Sequence, residues 1–273
     1  MTAPPQAGIA SRATRTLLRG LILAFGLSRC FIAFTRMWLP AVLRGRRLSL
    51  EQRAQWLQDC AHLALDSMGI HYRIQGKVPT GITLLVANHL SYLDILICAS
   101  ALPCAFVAKR EIATWPIFGK LAHLGATLFV NRESRNRSRE TVEQMARRLS
   151  HGVPVLFFPE GTSTDGSQVI RFHSALFDPA INAKIPVTPV AIFYETSPPL
   201  TERDLCWFGD ETFFPHMLRV LGVSTFTAVV QFGHPEIYPD RRTAAWRTHD
   251  TIEQMRHRHH YLTQKSPKRK LVS

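Results

Sequence analysis

His89 and Asp94 are the pair of residues in this sequence best suited to transfer a proton. They lie five positions apart in the segment Asn-His-Leu-Ser-Tyr-Leu-Asp, residues 88–94. On a continuous helix this spacing turns two side chains about 140° apart, because each residue advances roughly 100°. The two side chains can therefore meet only if His89 precedes the helix that contains Asp94.

The neighbouring residues predict such a junction between a strand and a helix. Residues 82–86 form a short apolar segment typical of a buried strand. Ser91 and Asp94 match a capping box, in which serine is the N-cap and an acid occupies the third helical position. We expect His89 just outside the helix and Asp94 in its first turn, where the helix dipole favours an ionised carboxylate.

This arrangement suits general-base chemistry. Neutral imidazole can remove a proton from a hydroxyl, and a carboxylate on its other nitrogen fixes the tautomer and stabilises the imidazolium. Such a base typically accelerates a reaction about 10²–10⁴-fold. The alternative is that Asp94 only caps a helix and His89 only occupies a turn, and the two residues alone do not decide between these interpretations.

Three further apolar segments end in residues that can bind or catalyse. Residues 125–132 end in an arginine, residues 155–162 end in Phe-Pro-Glu-Gly-Thr, and residues 185–190 are Ile-Pro-Val-Thr-Pro-Val. Together with the Asn-His-x₄-Asp segment, and in this order, they resemble the four blocks of the glycerolipid acyltransferase family. That family contains the 1-acylglycerol-3-phosphate acyltransferases, and the resemblance extends from about residue 81 to residue 190.

The resemblance implies an O-acyltransferase of lipid metabolism. A fatty acyl group would move from an acyl thioester, acyl-CoA or acyl carrier protein, to the free hydroxyl of a lyso membrane lipid. His89 would be the general base and Asp94 its partner, with no covalent enzyme intermediate, no cofactor and no metal ion. The residues that would bind the acceptor are Arg132, Glu160, Gly161 and Thr162.

Two of these residues have further implied roles, and the charged ones have plainer alternatives. Gly161 would also offer a backbone N–H to the developing oxyanion, and Lys109 would contact an anionic head group or the donor. Alternatively, Arg132 forms a surface ion pair, Glu160 is an exposed turn residue and Lys109 is simply solvated.

The segment after Phe-Pro-Glu-Gly-Thr bears on the acceptor. Phosphatidate-forming members of the family commonly have an arginine where this chain has Ser163, and Asp165 adds a negative charge two residues later. Residues 158–166, followed by 172–176, resemble the branch that includes lyso-ornithine lipid acyltransferases. Lysophosphatidate, giving phosphatidate, is the first expectation by breadth of the family, and lyso-ornithine lipid, giving ornithine lipid, is the alternative. A hydrolase that activates water with the same histidine is a third.

The net charge of +13 is concentrated at the two ends of the chain. Residues 1–50 contain eight arginines and no acid, and residues 241–273 contain nine Lys or Arg against two acids. Residues 51–240 contain 16 basic and 18 acidic residues. This distribution indicates a polyanionic surface as partner, either nucleic acid or an anionic membrane.

The N-terminal segment favours the membrane. Residues 16–43 are strongly apolar and aromatic, are interrupted by arginines and contain no acid, which disfavours nucleic acid because aromatic side chains would face phosphates. Such helices usually lie in the interface with their cations toward the head groups. We expect a monotopic anchor on the cytoplasmic side of the inner membrane. Two alternatives stay open: a helical pair packed on the core, and a spanning helix over residues 20–35 with Arg29 inside.

The remaining sequence predicts an α/β fold, a central mixed sheet with helices on both faces, preceded by the N-terminal membrane-associated helical segment. We expect anchoring helices over residues 1–47, an acyltransferase domain over 48–262 and a basic disordered tail over 263–273. The expected helices cover 48–67, 116–124, 134–150 and 241–259. The expected strands cover 71–75, 82–86, 104–108, 128–130, 155–158, 187–193 and 224–231.

Other classes of protein fit less well. The five cysteines are odd in number and contain no C-x-x-C pair, which disfavours a disulfide framework or a zinc ribbon. The sequence also contains no G-x-S-x-G, no phosphate-binding G-x₄-G-K-[ST] loop and no H-E-x-x-H.

Overall fold

A computed structural model of the protein describes residues 7–115, 117–130 and 135–265. The strands are β1 (Ile70–Gln75), β2 (Leu84–Ala87), β3 (Ala105–Lys109), β4 (Leu128–Val130), β5 (Val155–Phe157), β6 (Val187–Glu195) and β7 (Phe226–Phe232). The α-helices are α1 (Ala7–Leu43), α2 (Leu50–Met68), α3 (Leu93–Ala101), α4 (Phe118–Leu124), α5 (Arg135–Ser150), α6 (Asp178–Ala183), α7 (Phe213–Gly222) and α8 (Arg241–Lys265). Short 3₁₀ turns lie at Arg110–Thr114, Ala175–Phe177 and Arg203–Leu205.

The seven strands form one mixed sheet in the order β1-β7-β6-β2-β5-β3-β4. The pair β6–β7 is antiparallel and the other neighbours are parallel. The carboxyl ends of β2, β3, β4, β5 and β6 therefore lie along the same edge. The expected mixed α/β sheet is confirmed.

The two faces of the sheet pack against different helices. Along β2, Leu85 and Ala87 join a core that contains buried residues of α1, α2, α3 and α7. Leu84 and Val86 point the other way, into a core with buried residues of α5, α6 and α8. This alternation follows from the two-residue period of a strand, and all four residues are buried because both faces are covered.

The N-terminal segment is one continuous helix of 37 residues, and not the several helices that we expected. Leu23 and Cys30 are buried against the domain, and the indole of Trp56 donates a hydrogen bond to the carbonyl oxygen of Cys30. Other apolar side chains of α1 stay exposed: Leu17, Leu18, Leu21, Ile22, Phe25, Ile32, Trp38, Leu39, Val42 and Leu43. The helix thus packs on the core with one face and leaves the rest uncovered.

Arg19 contacts the protein itself, whereas the anchor hypothesis expects the arginines to lie toward the lipid head groups. Its guanidinium donates to the carbonyl oxygens of Leu221 at 3.2 Å and Val223 at 2.8 Å, where α7 ends. A cation is favourable at a helix carboxyl end because the last carbonyl groups lack partners within the helix. Arg19 therefore ties α1 to α7.

The predicted element boundaries are correct within a few residues, with four differences. Helices α6 and α7 were not expected. The 3₁₀ turn at Arg110–Thr114 was not expected, and α4 begins at Phe118, two residues later than the predicted helix over 116–124. Helix α8 continues to Lys265, so residues 263–265 are helical where a disordered tail was expected, and residues 266–273 lie outside the described part of the chain.

Candidate active site

A cavity of about 570 Å³ opens at the edge where the parallel strands end. His89 lies two residues after β2, Lys109 ends β3, and Phe158 follows β5; all three line this cavity. Ligands of open α/β sheets usually bind at this edge, because loops from adjacent parallel strands diverge there. The sequence blocks therefore converge in space.

His89 and Asp94 meet, as their spacing and the predicted junction required. His89 Nδ1 lies 2.8 Å from Asp94 Oδ2, the imidazole is 18% exposed, and the carboxylate is fully buried. The ring of His89 stacks on Phe158 with centroids 4.0 Å apart. Because Nδ1 is held by the carboxylate, Nε2 is the nitrogen that remains for a substrate in the cavity.

The local geometry differs from the predicted capping box. Helix α3 begins at Leu93 with Tyr92 as N-cap, one residue later than expected, and no side chain caps it. Asp94 Oδ2 accepts the backbone N–H groups of Leu90 at 2.6 Å and Ser91 at 3.0 Å. The contact that the acid makes in a capping box is thus present. The contact of the serine hydroxyl differs, because the Ser91 hydroxyl accepts the N–H of Leu93, at 3.4 Å. The same carboxylate oxygen of Asp94 therefore binds the backbone of the loop and the imidazole of His89.

Two buried residues that the sequence analysis missed hold this loop. The hydroxyl of Tyr194, on β6, donates to Asp94 Oδ1. The Asn88 side chain accepts from the N–H of Ile192 at 2.8 Å and donates to its carbonyl oxygen at 3.2 Å. Asn88 therefore continues the pairing of β2 with β6 past the end of β2, immediately before His89.

Glu160 binds the backbone of the loop that contains His89 and does not line the cavity. Its carboxylate is 3% exposed, and its two oxygens accept the N–H groups of His89 at 2.7 Å and Ile170 at 3.2 Å. Burial raises the pKa of Glu160 to about 7, against the opposing effect of the two backbone N–H groups. Because Glu160 is buried and lies outside the cavity lining, this geometry does not offer the predicted contact with the acceptor.

The other predicted binding residues have mixed outcomes. Lys109, Gly161 and Thr162 line the cavity. The N–H of Gly161 donates to the carbonyl oxygen of Phe158 at 3.2 Å, closing a turn in which Gly161 has a positive φ of 79°. That N–H is therefore engaged in the turn, contrary to the expected oxyanion contact. Arg132 lies outside the described residues.

The two residues that bear on the acceptor occupy different environments. Ser163 lines the cavity, and its hydroxyl donates to the carbonyl oxygen of Trp207. Asp165 lies outside the cavity lining and forms an ion pair with Arg203. The negative charge of Asp165 is thus compensated at the surface, while Ser163 contributes a neutral side chain to the cavity.

A second, larger depression lies beside the first. It has a volume of about 840 Å³, is lined mainly by apolar side chains of α1 and α7, and shares Trp115 with the cavity that contains His89. The ring of Trp115 packs against Phe213 at 4.6 Å between centroids, and Phe213 packs against Tyr92 at 4.8 Å. An aromatic wall therefore separates the apolar groove on α1 from the polar cavity.

Comparisons with known proteins show which sequences and which fold this chain resembles. The sequence profile of the Acyltransferase family matches residues 69–193. The lyso-ornithine lipid O-acyltransferase of Rhizobium meliloti (strain 1021) is 33% identical over 215 residues, which cover 73% of this chain and 73% of that protein. The lyso-ornithine lipid O-acyltransferase of Brucella abortus (strain 2308) is 35% identical over 180 residues, 61% of this chain and 67% of that one.

Two further matches are to acyltransferases named for a 1-acylglycerol phosphate. The 1-acyl-sn-glycerol-3-phosphate acyltransferase of Neisseria meningitidis serogroup B is 34% identical over 155 residues, 56% of this chain and 60% of that protein. The crystal structure of the 1-acyl-sn-glycerophosphate (LPA) acyltransferase, PlsC, from Thermotoga maritima has a TM-score of 0.62 at 18% identity and covers 93% of this chain and 100% of that chain. This structural likeness concerns the fold.

Proposed function

This chain belongs to the glycerolipid acyltransferase family, and we propose that it transfers a fatty acyl group from an acyl thioester to the free hydroxyl of lyso-ornithine lipid. The observation that carries the proposal is the contact of 2.8 Å between His89 Nδ1 and the buried carboxylate of Asp94, beside a cavity. A histidine held in this way has one nitrogen free to accept a proton.

The proposed reaction needs no covalent enzyme intermediate. His89 accepts the proton of the acceptor hydroxyl while the oxygen attacks the carbonyl carbon of the thioester. The carbonyl electrons move to oxygen and give a tetrahedral oxyanion. When this intermediate collapses, the C–S bond breaks and the departing sulfur takes the proton from the imidazolium. The products are an ester and a free thiol, and His89 is neutral again.

Residues around the base support it without touching the substrate. Asp94 holds the tautomer with the proton on Nδ1, and Glu160 fixes the backbone of His89. Preorganisation of this kind matters because a base displaced by about 1 Å can cost roughly 10²-fold in rate.

Two observations support lyso-ornithine lipid as the acceptor. Two relatives that bear that name are 33% and 35% identical to this chain, over 215 and 180 residues. Ser163 places a neutral hydroxyl in the cavity where phosphatidate-forming enzymes commonly have an arginine. Asp165 does not favour either acceptor, because Arg203 already pairs with its carboxylate.

Lysophosphatidate is the second candidate acceptor. Lys109 lines the cavity and can bind a phosphate, and the relative from Neisseria meningitidis is named for that reaction. Hydrolysis of the thioester by the same histidine is the third, and it differs from transfer in needing no lipid acceptor.

Membrane association fits an acceptor and a product that reside in a bilayer. By length and composition, Ser11–Leu43 is long and apolar enough to cross a membrane. We propose that α1 instead lies in the interface of the cytoplasmic leaflet, because Leu23 and Cys30, near its middle, are buried against the domain. A helix that crossed the bilayer would place this stretch in lipid and lose those contacts. The apolar groove beside Trp115 then faces the same lipid surface that supplies the acceptor.

One experiment separates the three candidates. The purified full-length protein receives lyso-ornithine lipid, lysophosphatidate or no lipid, each with the same radiolabelled acyl donor, supplied once as acyl-CoA and once as acyl carrier protein. We expect labelled ornithine lipid as the main product and thiol release that depends on the acceptor. A large preference for lysophosphatidate would replace the proposed acceptor. Equal thiol release without any lipid would replace transfer by hydrolysis.

A further inference from the structure

We propose that Tyr194 is a positioning residue of the acyl transfer, acting through Asp94 on His89. The inference deepens the proposed function and depends on His89 being the base. Tyr194 lies on β6, 100 residues from Asp94 in sequence, and its hydroxyl donates to Asp94 Oδ1. No part of the family resemblance includes this tyrosine, since the fourth block ends at Val190.

The donors around Asp94 divide unequally between its two oxygens. Oδ2 accepts from His89 Nδ1 and from the N–H groups of Leu90 and Ser91. Oδ1 accepts from the Tyr194 hydroxyl. A carboxylate can rotate about the bond to its Cβ, and a donor on Oδ1 resists that rotation. Tyr194 thereby keeps Oδ2 aligned with the imidazole.

Tyr194 is suited to act as a permanent donor. It is 3% exposed, and burial raises the pKa of its hydroxyl well above the usual value, helped by the negative charge of Asp94. The phenol therefore keeps its proton over the pH range of any assay. The other titratable groups near it are Cys206 and Glu202, whose carboxylate accepts the Tyr194 N–H at 2.9 Å. On the His89 side, the titratable groups are Glu160, which accepts the backbone N–H of His89, and Tyr92, Lys109 and Glu111, which line the same cavity.

Removal of the hydroxyl has two consequences with separate readouts. The carboxylate loses the donor on Oδ1, so His89 is less well oriented and turnover falls. The carboxylate also becomes a stronger acceptor toward the imidazole, because one fewer donor shares its negative charge. The imidazolium is then better stabilised, which should move the acidic limb of the pH–rate profile to higher pH.

The test compares Tyr194→Phe with Tyr238→Phe in the full-length protein. Tyr238 is a matched control, since it is also buried, at 5% exposure, and the pKa of its hydroxyl is also raised by burial and by a carboxylate, that of Glu236. For Tyr194→Phe we expect kcat to fall about 10-fold, which corresponds to about 1.4 kcal/mol of barrier. We expect KM for both substrates to stay within about two-fold, because a positioning residue contributes little to ground-state binding. The acidic limb of the pH–rate profile should move to higher pH in this variant alone.

A second variant should shift the acidic limb of the pH–rate profile in the opposite direction. Replacement of Tyr194 by 3-fluorotyrosine gives a more acidic phenol and hence a stronger donor to Oδ1. The acidic limb should then move to lower pH, opposite to the shift in Tyr194→Phe, while the fold is kept. Glu160 is unchanged in all of these proteins, so its titration contributes equally to every profile.

Several outcomes would overturn the inference. One is a Tyr194→Phe profile that coincides with those of the wild type and Tyr238→Phe. Another is a loss of activity matched by an equal loss in Tyr238→Phe, which would indicate stability alone. Shifts of the same sign in the phenylalanine and fluorotyrosine proteins would also contradict it. Failure of the proposed function is recognised separately, by a His89→Ala protein that still transfers acyl groups.

Discussion

In the loop at residues 88–94 the polar side chains have their partners inside the protein, whereas on one face of helix α1 the apolar side chains do not. Asp94 is fully buried and its two oxygens accept four donors. Leu17, Leu21 and Phe25, one helical turn apart on α1, are 65%, 62% and 66% exposed. Contacts within the domain therefore maintain the geometry of the loop. Helix α1 gains its remaining stabilisation only when another apolar phase covers it.

This difference predicts that the two regions fail in different ways. Changes in the loop should lower turnover at constant membrane binding. Changes on the exposed face of α1 should lower membrane binding at constant turnover on dispersed substrate.

The largest effect should come from His89→Ala. Loss of the base should reduce the rate of acyl transfer about 10²–10⁴-fold. Circular dichroism and binding to lipid vesicles should be unchanged, and the exposed His173 supplies the control variant His173→Ala. Near-normal transfer by a folded His89→Ala protein would refute the assignment of the base.

On helix α1, the double change Leu21→Glu and Phe25→Glu should weaken vesicle binding by about 10-fold or more, since each large apolar side chain contributes about 1.5–3 kcal/mol when buried. Co-sedimentation with anionic vesicles measures the bound fraction. Trp246 and Tyr261 on α8, 68% and 56% exposed, give a matched double control with the same substitutions. If the α8 control lost more binding than the α1 variant, α8 would be the membrane-facing element.

Glu160 should make stability depend on pH. Its pKa in the folded protein is about 7, against 4.5 for a free side chain, so the folded state binds the proton more tightly than the unfolded state. The free energy of unfolding should therefore fall as pH rises from about 4.5 to about 7, by about 1–3 kcal/mol, and stay low above that range. Unfolding of wild type and Glu160→Gln at pH 5 and pH 8 measures this difference.

The Glu160→Gln protein is neutral at this position and should lose less stability between the two pH values. The exposed Glu140 gives the control, since Glu140→Gln should leave the pH dependence of the wild type intact. Equal pH dependence in wild type and Glu160→Gln would mean that this carboxylate does not titrate in the range.

The smallest effect should come from Ser163→Arg, which introduces a cation into the cavity. We expect the ratio of turnover with lysophosphatidate to turnover with lyso-ornithine lipid to rise about 10-fold, because a charge-assisted pair with phosphate is worth on the order of 1–2 kcal/mol. The exposed Gln168 supplies the control Gln168→Arg. An unchanged ratio would show that residue 163 does not discriminate between the two head groups.

The sequence predicted the elements whose signal is local. Strand β4 has the predicted bounds, and the contact of His89 with Asp94 followed from the spacing and one strand-to-helix junction. Helix α7 was missed because Pro215 resembles a helix breaker, although proline is tolerated in a first turn, where it lies. Helix α6 has six residues, too few for a helical period to be visible.

The supporting contacts could not be predicted, because their partners are distant in sequence. Tyr194 pairs with a carboxylate 100 residues away, and Arg19 caps a helix that ends about 200 residues later. A pattern on β6 indicates that Tyr194 is buried, but only the strand order brings it to Asp94. For Glu160 the block pattern indicated a site, while its backbone partners, His89 and Ile170, depend on the path of two loops.

The stacking of Phe158 on His89 has an electronic consequence for the proposed reaction. The face of a phenyl ring has a negative quadrupole, so it attracts the imidazolium that forms in the transition state more strongly than the neutral imidazole. This attraction is worth about 0.5–2 kcal/mol for a cation over an aromatic ring. The phenylalanine that precedes Pro159 therefore helps His89 to hold its proton until the thiol departs.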